Sequence, residues 1–133
     1  MKRIVALTAV IMLSILSVVV SKSFATQETK NIVVEIDYGN LLPSRTIETP
    51  RVEGKTALEV LQAVAKVETY TVDGFTIVVS IDGIEGKRGD MAWYYSVDGT
   101  SADRVPNLTE INDATHMKWV YKKDTCSEKV DKI

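Results

Sequence analysis

The side chains with the most chemical potential lie in two short runs, Met91-Ala92-Trp93-Tyr94-Tyr95-Ser96-Val97-Asp98-Gly99 and Met117-Lys118-Trp119-Val120-Tyr121. Both read as strands. In the first, Trp93, Tyr95 and Val97 fall on one side at period two, and Ala92, Tyr94 and Ser96 on the other. Asp98-Gly99 then supplies the positive φ that a tight hairpin turn requires. Bulk on both sides means that one face is core and the other is available as a platform. Trp and Tyr join an apolar body to a polar tip, and small-molecule sites are mostly apolar with a few placed polar groups. The flanking loops, Gly86–Met91 and Thr100–Asp103, are positioned to supply those groups. The competing reading is plain core, with at least two of Trp93, Tyr95 and Trp119 packed beneath a helix.

Other chemistries find less support. His116 is the single histidine and no glycine-framed serine or nearby acid completes a triad with it. Cys126 is the single cysteine, in a charged stretch, and reads as an incidental thiol; neither HExxH nor CxxC spacing occurs. Asp98, Asp103 and Asp113 sit in turns, where Asp serves the backbone, and nothing marks a carboxylate pair of the glycosidase kind. Ile84 to Asp90 is glycine-rich but lacks the spacing and the Lys-Ser/Thr of a phosphate-binding loop. Asn107-Leu108-Thr109 is a formal glycosylation sequon. The sequence predicts a binding protein rather than an enzyme.

The elements that must hold these residues are few. Lys2 and Arg3, the apolar run Ile4–Val20 and Ser23-Phe24-Ala25 form a signal-peptide pattern with cleavage after Ala25; an uncleaved membrane anchor is the alternative. Residues 26–31 are a polar lead-in, 32–122 the domain and 123–133 a charged tail, fraying from Lys122. Net charge is −2 for the 133 residues, and more negative once Lys2, Arg3 and Lys22 leave with the leader. That balance argues against nucleic acid and anionic membrane surfaces as partners. Asn31–Gly39 reads as a strand, and Arg45–Val52, with Pro50, as an edge strand at best. Thr56-Ala57-Leu58-Glu59 is a capping-box pattern opening the one convincing helix, whose apolar stripe runs to Lys66–Glu68. Tyr70–Val72 and Phe75–Ile81 follow as strands around Asp73-Gly74, and Leu108–Ile111 is a further short candidate. The order implies an α+β domain, a β-grasp-like mixed sheet packed against a single helix.

Gly54-x-Thr56-Ala57-Leu58-Glu59-Val60-Leu61, Ser80-Ile81-x-Gly83-Ile84, Trp93-x-Tyr95-x-Val97-Asp98-Gly99 and Trp119-x-Tyr121, in that order, resemble one family. It is the C-terminal domain of transcobalamin and intrinsic factor, which also occurs alone in short secreted bacterial proteins. Asp98-Gly99 replaces the family's Asn-Gly, and Ala114-Thr115 stands where a Gly-Asp turn is usual. The resemblance implies a β-grasp-like fold and a domain that covers one face of a corrinoid such as cobalamin. It assigns ligand contact to Gly89, Asp90, Met91, Trp93, Tyr95 and Ser101, with no protein ligand to cobalt. The vitamin carriers close the site with a helical barrel that this sequence does not show, so a second protein domain is the implied partner. The expectation is a secreted or periplasmic ligand-binding module; the alternative is a protein–protein or envelope-assembly module that uses an exposed sheet edge.

Overall fold

The computed structural model describes residues 30–125, so the leader pattern and Cys126 lie outside the described residues. The chain runs β1 (Asn31–Asp37), β2 (Arg45–Pro50), α1 (Ala57–Val64), β3 (Val67–Val72), β4 (Phe75–Ile81), β5 (Ile84–Glu85), β6 (Met91–Val97), β7 (Thr100–Ser101), a 3-10 turn (Pro106–Leu108) and β8 (His116–Lys123). Five strands form a mixed sheet in the order β2-β1-β8-β6-β7, in which β1 and β8 are parallel and the other pairs antiparallel. The other three form an antiparallel sheet in the order β3-β4-β5. With one α-helix among the described residues the domain is α+β, as the element order implies.

Period-two patterning decides which face is core. Ile32, Val34 and Ile36 of β1, Met117, Trp119 and Tyr121 of β8, and Trp93 of β6 join Ala57, Val60 and Leu61 of α1 and Ile81 of β4 in one buried cluster. Three hairpin turns use Asp-Gly, at Asp73-Gly74, Asp82-Gly83 and Asp98-Gly99, and every one of these six residues has positive φ. This is the twist-matched turn that two-residue hairpins favour, and Asp-Gly is one of the few pairs that form it readily.

Several boundaries differ from the sequence expectation. Thr56 Oγ1 accepts from the Glu59 N–H at 3.3 Å, as a cap should, but the Glu59 carboxylate turns to Lys55 Nζ at 3.2 Å instead of reaching back. The helix stops at Val64, because Val67-Glu68-Thr69 enter β3, where β-branched residues pair with β4. Leu108–Ile111 makes an isolated bridge, Thr56 to Glu110, and no strand. Lys122 and Lys123 do not fray: they pair with Ala92 and Met91, so the last strand outruns its apolar residues.

Candidate functional site

A cleft of about 780 Å³ opens between the two sheets. It runs along the edge of β6, since β7 pairs only with Ser96 and Val97 and the Lys87 turn bridges only to Met91, which leaves Ala92–Tyr94 without a neighbouring strand on that side. Met91, Ala92, Trp93 and Tyr94 line one side; Tyr70, Ile77 and Val79 of the β3–β4 hairpin line the other. Glu85, Gly86, Arg88 and Asp124 complete the lining.

Three aromatic tips hold the segment that joins the sheets. The Trp93 indole Nε1–H donates to the Ile84 carbonyl at 2.9 Å, and the Tyr121 hydroxyl donates to the Glu85 carbonyl at 2.9 Å. The Tyr38 hydroxyl donates to Asp82, which also accepts from Arg45 Nη1 at 2.6 Å and from the Lys66 N–H at 3.0 Å. Burial works to raise the Asp82 carboxyl, but these three donors outweigh it and hold it below the usual carboxylate range. Tyr38 meets Trp93 edge-to-face at 5.9 Å, and Trp93 leans on Tyr121 at 5.2 Å, so the rings pack as well as bond. Gly86 passes so close to β6 that a Cβ there would sit 3.2 Å from the Met91 carbonyl.

The rim is the turn before β6. Lys87 and Met91 exchange backbone bonds of 2.8 and 3.0 Å, which close the turn. Asp124, 4 % exposed, accepts from the Gly89 N–H at 2.8 Å and from the Tyr94 hydroxyl at 3.2 Å. The Asp124 N–H in turn donates to the Asp90 carbonyl at 2.9 Å. A carboxylate with such donors fixes a glycine turn that would otherwise move freely.

Of the residues singled out in the sequence, Met91 and Trp93 line the cleft, while Gly89 and Asp90 form its rim. Trp93 is 9 % exposed: mostly core, with an edge at the cleft. Tyr95 lies farther along β6, stacked on the buried Trp119 at 4.7 Å, its hydroxyl bonded to the Arg104 carbonyl at 2.6 Å and to Thr109 Oγ1 at 2.7 Å. Burial raises the Tyr95 phenol above its ordinary value; Thr109 partly offsets this and Asp103 adds to it. Ser101 pairs with Ser96 at the edge of β7, away from the cleft lining. Tyr95 and Ser101 are therefore not brought together with Met91 and Trp93.

Sequence reasoning missed the hairpin wall and Asp124. Tyr70, Val72, Phe75 and Ile77 are 60, 46, 53 and 47 % exposed. Their pairing, Tyr70 with Ile77 and Val72 with Phe75, puts all four on one face. The signal was available: positions equidistant from Asp73-Gly74 must share a face once that turn has two residues. Asp124 carried no such signal, because nothing local distinguishes it from the charged residues that follow.

The fold has solved counterparts. A proposed metal binding protein from Ruminococcus gnavus ATCC 29149 superposes with a TM-score of 0.61 at 17 % identity, over 71 % of this chain and 98 % of that one. Haptocorrin in complex with cobinamide superposes with a TM-score of 0.57 at 10 % identity, over 71 % of this chain and 26 % of haptocorrin. At these identities the likeness is one of fold. Among the described residues no group of three or more His, Cys, Asp or Glu side chains is gathered to hold a metal ion. No curated protein matches the sequence. A family model described as a domain of unknown function, DUF4430, matches residues 54–123, which span α1 through β8 and both walls of the cleft, and the chain belongs to that family.

Proposed function

We propose that this domain is a non-enzymatic binding module that forms one wall of a site for a bulky, largely apolar small molecule of the corrinoid class. The observation that carries the reading is the cleft itself. About 780 Å³ lies within the range of ligand sites. Its aromatic and aliphatic lining, which includes Tyr70 and Ile77, continues on the same hairpin face to Val72 and Phe75, and all four are exposed. Exposed apolar surface of that kind marks a place where something binds. Glu85 and Arg88 in the lining are polar groups that can orient the amides of such a ligand. The fold shared with a cobinamide complex of haptocorrin supports the choice of corrinoid. A cleft of this size covers one face of such a ligand and leaves the far face wet, so the proposal includes a second domain or protein that completes the site. The leader pattern ending at Ala25 supports export, and binding outside the cytoplasm, as part of the same proposal.

The test is calorimetric titration of the chain with cobinamide and with cobalamin. A dissociation constant of roughly 10–100 µM is expected for a single wall. The double variant Tyr70→Ser/Ile77→Ser should bind about tenfold or more weakly while unfolding at the wild-type temperature, since both side chains are half exposed. Absence of heat up to about 1 mM ligand overturns the corrinoid assignment. A second reading, strand addition by a protein partner, is favoured by β2, which pairs only with β1 in its sheet and offers its other edge. Pull-down from the native envelope with and without corrinoid separates the two, and a screen of ester and glycoside substrates tests the non-enzymatic part.

A further inference from the structure

The β3–β4 hairpin forms one wall of the cleft, yet it is held unevenly. Its base is fixed: Val67 pairs with Ile81 in the core, Asp82 bonds to Lys66, and β5 covers the edge of β4 at Ser80 and Ile81, with the Gly86 N–H extending the ladder to the Val79 carbonyl at 2.8 Å. Beyond Val78 the edge of β4 has no neighbouring strand. Its backbone groups need partners all the same. A side-chain amide supplies them. Asn107 Oδ1 accepts from the Thr76 N–H at 3.0 Å, and Asn107 Nδ2 donates to the Gly74 carbonyl at 2.8 Å. One acceptor and one donor at this spacing imitate a peptide group of a missing strand. Asn107 is itself set by the 3-10 turn Pro106–Leu108, in which the Leu108 N–H donates to the Val105 carbonyl at 3.0 Å. Thr109 Oγ1 and the Tyr95 hydroxyl brace that turn from below.

We propose that Asn107 is a positioning residue, a latch that fixes the outer half of the β3–β4 hairpin and so sets the position of Tyr70 and Ile77 in the cleft wall. The amide nitrogen that donates to Gly74 is that of the Asn107-Leu108-Thr109 sequon. The consequence for ligand rests on the corrinoid reading above; the latch itself does not.

Amide hydrogen exchange on the full chain tests the latch, with Asn107→Ala and Asn107→Asp as variants. Two bonds lost at once should lower protection across Thr71–Ile77 by about tenfold or more in Asn107→Ala, with Val34 and Trp119 amides unchanged. Asn107→Asp keeps an acceptor for Thr76, and should retain more of the Thr76 protection. Leu108→Ala, a neighbour with a half-exposed side chain, should leave the hairpin at wild-type protection. In stopped-flow binding of cobinamide, Asn107→Ala should raise the dissociation rate about tenfold with little change in association, as a loosened wall releases what it had enclosed. Wild-type protection of Thr71–Ile77 in Asn107→Ala overturns the proposal. So does a loosened hairpin with an unchanged dissociation rate, which would separate the latch from the wall. A wild-type chain that ignores cobinamide overturns the corrinoid reading, and the exchange comparison then decides the latch alone.

Discussion

The Tyr38→Phe substitution tests whether the two sheets are joined by the clasp at Asp82 or merely abut. Tyr38 is buried, and Phe keeps its edge-to-face contact with Trp93 while removing one oxygen. The lost bond is charge-assisted, a class worth about 1.5–3 kcal/mol. The Asp82 side chain is 22 % exposed and retains Arg45 Nη1 and the Lys66 N–H, so solvent and the surviving partners reduce the cost to roughly 1–2 kcal/mol. The pH dependence gives an independent check. Asp82 is held below its ordinary 3.8 in the folded state. A carboxyl depressed on folding contributes its stability in full above the unfolded value and loses it as pH falls through the folded one. Tyr38→Phe removes one of the groups that depress it. Its destabilisation should therefore be largest at neutral pH and shrink on the acid side of 3.8. Urea unfolding by tryptophan fluorescence, at pH 7 and at a series of pH values down to about 3, measures both. A cost below about 0.5 kcal/mol at pH 7, or one that does not change with acidification, would refute the clasp.

Three further substitutions probe the rest of the frame. Asp98 Oδ1 accepts from the Thr115 N–H, the Thr115 hydroxyl and the His116 N–H, and these bonds, Thr115 N–H first, outweigh desolvation and hold its carboxyl low. Asp98→Asn, which tolerates the positive φ, should flatten the loss of urea midpoint between about pH 5 and pH 3 relative to wild type, because the group no longer titrates. Tyr95→Phe should cost about 1 kcal/mol in urea unfolding and raise exchange at the amides of residues 104–109, since its hydroxyl bridges Arg104 and Thr109. Asp124→Asn replaces a buried carboxylate that accepts from Gly89 and Tyr94; a loss of about 1–3 kcal/mol, with faster exchange at the Gly89 amide, is expected.

Much of the fold could be read from local chemistry. Strand β6, the three Asp-Gly turns and the Thr56 helix start depend on a few adjacent residues, and each stands where the pattern puts it. The failures share a cause: the deciding partner is remote in sequence. Lys122 and Lys123 are strand because Met91 and Ala92 lie opposite, and Asp124 is buried because the Gly89 turn closes over it. Helix α1 ends early because Val67 has Ile81 to pair with. The site divides the same way. Trp93 and Met91 reach the cleft because β7 pairs no farther along β6 than Ser96, while the segment 102–107 that follows β7 closes over Tyr95. Periodicity assigns Trp93 and Tyr95 to one face, but only the length of a neighbouring strand says which of them meets the opening.

The frame explains why one wall should be stiff and the other adjustable. On the β6 side, Trp93, Tyr121 and Tyr38 fasten residues 82–85 with their polar tips, and Asp124 fastens the rim. Every one of these bonds has an end in the core or beside it, where an unmade bond is expensive. On the hairpin side, the apolar face of Tyr70, Val72, Phe75 and Ile77 meets solvent, and Asn107 grips the strand edge from the far side. Burial cannot restrain a face that nothing covers, so beyond Val78, which packs on the core, the outer half of the hairpin depends on its own ladder and on the two Asn107 bonds. A ligand that packs on those four residues supplies the missing burial and the missing restraint together. On the proposed reading, such a ligand meets one wall fixed by side-chain bonds to residues 82–85 and one wall whose outer half is set by the Asn107 latch.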